Sequence, residues 1–278
     1  MPTPFFHLSI AQALLQRPGL SEPVRAWLEN QRGAFLLGNT APDVQVVSGQ
    51  NRTATHFFDL PIQPGDAFPW ERLLASYPAL AQPQQLDHQQ SAFVVGYLCH
   101  LRADWDWVRE IFFPVFGPTC TWGTFRQRLY YHNVLRSYLD QRLLPALQGE
   151  LESCLGAVEP ARWLPFASDR HLKAWRDLLA PQFHPGAAAR TVEVFAARQG
   201  IPIAEYDALL NSDARMQTEI LSHLSYQQIE AYRQRLLVES AHLVESYLAV
   251  VIGSAHPAGL SRVALPATPA CRQKEPHL

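Results

Sequence analysis

Two residues in the stretch Ser91 to Trp107, SAFVVGYLCHLRADWDW, stand out by type and spacing: His100 and Asp104. Positions four apart on a helix share a face, so an imidazole nitrogen and a carboxylate oxygen there converge on one point. Both are good zinc donors, and a carboxylate can bridge two ions. The same pair also serves as an ordinary hydrogen-bonded pair inside a helix. Three more donors keep it company. His7 lies in the apolar opening of the chain, Asp43 follows Pro42 in a turn, and His56 sits between Thr55 and Phe57-Phe58. Taken singly, His7 reads as a core histidine, Asp43 as a turn or cap residue, and His56 as a half-buried surface histidine. Together, His7, Asp43, His56, His100 and Asp104 supply nitrogen and oxygen ligands for two metal ions, a combination that no structural need demands.

The elements that must position these groups are helical. Apolar residues recur at helical spacing, and long alternating runs are missing. The pattern predicts helices over Phe5 to Gln16, over a Ser21-capped stretch to Asn30 with Gly33 as a stop, and over Asp87 to Phe113. Further helices are expected over Thr124 to Leu147, Ala167 to Leu179, Ala187 to Gln199, Ile203 to Ser212 and Ser225 to Ile252. Ala34 to Gly38 is apolar and leads into the turn that ends at Asp43. Prolines 61, 64, 69, 78 and 83 punctuate the segment after His56. The expected architecture is all-α, a multi-helix globular fold over residues 1–253. A proline-bearing tail over 254–278 is expected to be disordered.

Composition narrows the function classes. The chain has 278 residues, 47% of them hydrophobic, enough for a substantial core. Its net charge of -2 and the lack of a Lys/Arg cluster argue against a nucleic-acid partner. Lys173 and Lys274 are the only lysines, which leaves little for a phosphate-loop or Schiff-base mechanism. Cys99, Cys120, Cys154 and Cys271 form no C-x-x-C pair and read as reduced, mostly buried thiols. No secretory signal is visible at the start, and no apolar run is long and uncharged enough to span a bilayer. A cytoplasmic location is therefore expected, with peripheral membrane contact still open.

Four blocks, in order, resemble a known family. They are His7 with Ile10-Ala11, Leu37-Gly38-Asn39-Thr40-Ala41-Pro42-Asp43, Thr55-His56-Phe57, and Gly96 to Asp104. Over roughly residues 1 to 140 the chain is similar to the zinc-dependent phospholipase C family, an all-helical fold distantly related to zinc-dependent single-strand nucleases. The resemblance implies that Asp43, His56 and His100 hold one zinc, that Asp104 bridges to a second, and that His7 binds the second. Two departures are visible. The secreted phospholipases complete the second site with an N-terminal Trp, whereas this sequence begins with Met1, so water or another side chain would take that place. The family's third zinc uses a His after the H-x-x-x-D core and a later H-x-x-x-E pair. Here the counterparts are Asp106 or Glu110, and His132 with Arg136. Arg cannot ligate a metal, so the third site is expected to be lost or rebuilt, with His132, Arg136, Glu110 and Asp140 as cleft residues.

The function implied is hydrolysis of a phosphodiester, in the first place a phospholipid, by one or two zinc ions. Asp43 is the candidate general base, and Arg102 and Arg136 are candidates for phosphate contact. Trp105, Trp107, Ile111, Phe112, Phe113 and Phe116 read as core or as a lipid-facing wall. Three alternatives remain: an inactive helical protein with structural zinc, a nuclease-like phosphoesterase, and a metal-free helical interaction protein.

Overall fold

The computed structural model describes residues 1–16 and 19–253; the tail expectation lies outside them. Among the described residues the structure is helical, without a β-strand. The first half carries α1 (Pro4–Gln16), α2 (Glu22–Asn30), α3 (Arg32–Gly38), a 3-10 turn at Ala41–Val44, and the short α4 (Gln45–Ser48) and α5 (Arg52–His56). Next come α6 (Pro69–Ser76), α7 (His88–Trp107), a π-helical extension over Val108–Phe116, and α8 (Phe125–Leu147). The second half adds α9 (Glu150–Gly156), α10 (Asp169–Leu179), α11 (Thr191–Gln199), α12 (Ile203–Leu210), α13 (Asp213–Arg215) and α14 (Tyr226–Ile252). No helix among the described residues is long and apolar enough to cross a membrane.

The centre of the molecule is α7. Asp87 caps its first turn by accepting from the Gln90 amide. From Ser91 to Val108 every residue except Arg102 is buried. A helix that is apolar on all sides belongs inside a protein, and α3, α6 and α14 enclose this one. Tyr232 of α14 donates to the Ala103 carbonyl at 2.8 Å, which pins α14 beside the turn that carries Asp104.

Small residues set the crossing of α3 and α7. A methyl on Gly38 would lie 2.0 Å from the Phe93 carbonyl oxygen, and one on Gly96 would lie 2.3 Å from that of Phe35. Gly33 makes a similar approach to the Cys154 carbonyl. It therefore sits inside α3 as a packing residue, where the sequence suggested a stop. The proline-punctuated segment likewise forms α6, because Pro69 stands in the first turn, where its missing N–H costs nothing. Trp105, Trp107, Ile111 and Phe116 are core residues, and Phe112 and Phe113 are half-buried against the same core, so this run packs as core. Cys99 is buried, while Cys120 and Cys154 are partly exposed.

Candidate metal centre and its cleft

Four elements bring five donors together. His7 comes from the second turn of α1, Asp43 from the 3-10 turn, His56 from the last residue of α5, and His100 and Asp104 from α7. His7 Nε2 lies 3.4 Å from Asp104 Oδ1, and His56 Nε2 lies 3.3 Å from Asp104 Oδ2 and 3.6 Å from Asp43 Oδ1. His100 Nε2 is 3.9 Å from Asp104 Oδ2. Ligands about 2.0–2.2 Å from a tetrahedral zinc stand roughly 3.3–3.6 Å apart, so these spacings suit a metal better than direct hydrogen bonds. The donors form two overlapping groups able to hold an ion, His7 with His100 and Asp104, and Asp43 with His56 and His100.

The hydrogen-bond accounting supports the same reading. His7 Nε2, His100 Nε2 and Asp104 Oδ1 are buried with no hydrogen-bond partner. Native interiors leave few such atoms, and three aimed at one another are what a bound cation would satisfy. An aimed nitrogen needs a lone pair, and for His100 and His56 the network supplies it. His100 Nδ1 faces the Asn39 carbonyl oxygen at 2.8 Å, so the proton belongs there and Nε2 is left bare. His56 Nδ1 meets Thr55 Oγ1 at 3.0 Å, and the Thr55 hydroxyl in turn donates to the Arg52 carbonyl at 3.1 Å. Tyr97 of α7 donates to the Thr55 carbonyl and anchors α5. The helix ends on His56 because Phe57 adopts a left-handed conformation, φ 60°, costly for a residue with a Cβ. Its ring is held edge-on by Tyr77 and Phe166.

Electrostatics keep the donors ready. Burial, then the neighbouring His7, pushes the His100 imidazole down to about 3, so it is neutral at ordinary pH. Burial alone would raise the Asp104 carboxyl, but His100, His7, His56 and Arg52 outweigh it and hold it well below the usual carboxylate range. Arg52 adds a direct contact, its guanidinium donating to Asp104 Oδ2 at 2.8 Å. Asp43 is lowered as well: burial opposes the shift, and the bond and charge of His56 with His100 prevail. The His7 and His100 rings stack at 3.8 Å, a close approach that would be unfavourable for two charged rings.

The centre opens onto a cleft of about 290 Å³. Asp43, Asp104 and Arg52 lie at its inner end, and Trp175, Leu179 and Phe195 contribute an apolar wall. Trp175 also donates to Thr40 Oγ1, which ties α10 to the turn that carries Asp43. Val46, Leu178 and Val194, exposed at 45%, 38% and 40%, line the same cleft.

The expected cleft residues divide. Arg136 lines the cleft, donates to the Met1 carbonyl at 2.9 Å and lies 4.1 Å over the Phe195 ring. Asp140 sits behind the wall, accepting from Thr3 and Thr191, both of which line the cleft. Burial raises its carboxyl to about 7. His132 is in the core: its Nε2 accepts from Trp107 Nε1 at 2.9 Å, and the Phe112 and Phe116 rings flank it. Glu110 pairs with Arg235 of α14 and does not line the cleft. Arg102, offered for phosphate contact, instead pairs with Asp106 and Glu239 and lies over Trp70. Arg52 was the residue the sequence hid. Its one signal is its place four residues before His56, which puts it on the same face of α5.

Comparison with known proteins gives one match. Residues 6–107 match the family model described as zinc dependent phospholipase C. That span contains all five donors and both helices of the glycine crossing. No curated protein and no solved structure matches the chain.

Proposed function

We propose, from the match of residues 6–107 to the family model described as zinc dependent phospholipase C, that the protein is a zinc-dependent phosphodiester hydrolase acting on a phospholipid. In this reading Asp43, His56 and His100 would hold one zinc, His7 would take a second, and Asp104 would serve both. The observation that carries the proposal is the trio of buried, partnerless atoms, His7 Nε2, His100 Nε2 and Asp104 Oδ1, at the inner end of an open cleft.

When bound, zinc supplies Lewis-acid activation of water and of the phosphoryl oxygens. The protein's own groups do the rest. Asp43, whose side chain is 21% exposed, has an oxygen accessible from the cleft and is placed to accept a proton from the attacking water. Arg52 lines the cleft beside Asp104, where its charge would attract and orient the phosphoryl group. The wall of Trp175, Leu179 and Phe195 excludes water and offers apolar contact to the lipid part of a substrate. Val46, Leu178 and Val194 extend that contact to the surface. An opening at Asp43 favours a catalytic centre over a closed structural one.

The test is metal content by elemental analysis, for wild type beside His100→Ala and Asp104→Ala, followed by hydrolysis of short-chain phosphatidylcholine and phosphatidylglycerol. Zinc in the wild type, its loss in both variants and chelator-sensitive hydrolysis are expected. A folded wild type that takes up no zinc would sink the proposal.

A further inference from the structure

Beyond the metal cluster, the cleft carries a one-sided set of charges. Arg52, Arg136, Arg190 and Arg198 line it, and its only carboxylates among the described residues are Asp43 and Asp104. Arg52 and Arg136 are already engaged, by Asp104 and by the Met1 carbonyl respectively. Arg190 and Arg198 are both exposed, and neither side chain has an acidic partner within ion-pair distance among the described residues. Arg190 stands at the cap just before α11, Val194 and Arg198 are four apart on the helix, and all three line the cleft.

The lining holds four guanidinium groups against two carboxylates, so the cleft is set to attract an anion. Once Asp43 and Asp104 are engaged by a divalent cation, nothing in the cleft balances the four guanidinium groups. A cationic headgroup would need a free carboxylate or an open aromatic face, but Trp175 is buried and the Phe195 ring already carries Arg136. A phosphate or carboxylate, by contrast, matches a guanidinium fork.

We propose that this cleft selects phosphodiesters bearing a further anionic group beyond the scissile diester, with Arg190 and Arg198 as the residues that determine the preference. The inference rests on the metal-site reading for catalysis, but the anion subsite itself does not require zinc.

The experiment uses monomeric dihexanoyl lipids, which keep attraction to a charged membrane surface out of the readout. Zinc-loaded protein is assayed on phosphatidylinositol 4-phosphate and on phosphatidylcholine. The wild type is expected to show a kcat/KM at least tenfold higher for the first. The exposed double variant Arg190→Gln, Arg198→Gln is expected to erase that ratio through KM, leaving phosphatidylcholine unchanged. Equal rates on both lipids, a preference seen only with vesicles, or an equal loss on both lipids would overturn the proposal. If neither lipid is cleaved, calorimetric titration with glycerophosphoinositol 4-phosphate decides. Saturable binding weakened at least tenfold in the double variant upholds the subsite although the reaction reading has failed. No binding, or binding that the variant leaves intact, overturns it.

Discussion

Gly96→Ala tests whether the helix crossing sets the metal centre. The added Cβ would stand 2.3 Å from the Phe35 carbonyl oxygen and 3.0 Å from the Asn39 amide nitrogen. Ordinary contact begins near 3.4 Å, so α3 and α7 must part by about 1.1 Å locally. The obstructing atoms are backbone and cannot swing aside. Asn39 ends α3, and its carbonyl oxygen is the partner of His100 Nδ1 at 2.8 Å. Parting by that amount stretches the contact to nearly 4 Å, which is no longer a hydrogen bond. The imidazole then loses the partner that fixes its tautomer. Loss of a ligand's supporting hydrogen bond typically weakens metal affinity about 10–100-fold. The overpacking itself costs about 1–3 kcal/mol of metal-free stability. The assay is a chelator-competition measurement of zinc affinity, read beside the melting temperature of the metal-free protein. Ser9→Ala, which removes one hydroxyl bonded to the Phe6 carbonyl and touches none of the donors, serves as the control. A Gly96→Ala protein that melts lower yet binds zinc as tightly as wild type would refute the coupling between crossing and centre.

Other outcomes follow from the same geometry. Zinc at a thousandfold excess over its dissociation constant should add about 4 kcal/mol to stability, so a chelator should lower the melting temperature by roughly 8–16 °C; no shift by calorimetry would contradict the metal reading. Arg52→Gln removes the charged partner of a buried carboxylate, and the metal-free protein should lose about 1–3 kcal/mol by urea titration. In zinc-saturated protein the loss should shrink, and an equal loss in both states would argue against a metal at Asp104. Asp140 has its carboxyl raised to about 7 by burial, so the folded state holds its proton where the unfolded chain has released it. Its contribution is complete below about pH 4, declines as pH rises toward about 7 and is flat above; the total is about 4 kcal/mol. Asp140→Asn should remove that slope from the pH dependence of the melting temperature, and an unchanged slope would mean that the carboxyl titrates elsewhere.

Much of this was legible because helical spacing and donor type are local properties. His100 and Asp104 announce a shared face by their separation alone, and the expected helix starts at Asp87, Thr124 and Ser225 are capped there, whereas Ser21, expected as a cap, meets Glu245 instead. Long-range facts were hidden. Gly33 looks like a stop until α9 is seen against it. His132 looks like a cleft residue until Trp107 takes its lone pair. Glu110 sits on a π-helical extension whose wider turns, with Pro114, carry the chain away from the α-helical register. Arg102 and Arg52 are alike in sequence, yet their ion pairs point one away from the centre and the other into it. The exposed apolar residues at the cleft, Val46, Leu178 and Val194, lie too far apart in the chain for any window to group them.

The donors' dispersal along the chain also has a bearing on assembly. They sit on α1, the turn at Asp43, α5 and α7, and no two of these elements are joined by a short hairpin. A nascent or half-folded chain can offer only one pair of donors at a time, His100 with Asp104 or Asp43 with His56, each a weak site, because joining the pairs and bringing in His7 requires long loops to close first. Zinc would therefore bind late, after α3 has seated against α7, and would act as a seal on a finished bundle rather than a template for it. A chain sealed last avoids being locked by the metal in a wrong arrangement, and the ion leaves as soon as any one of the four elements lifts away.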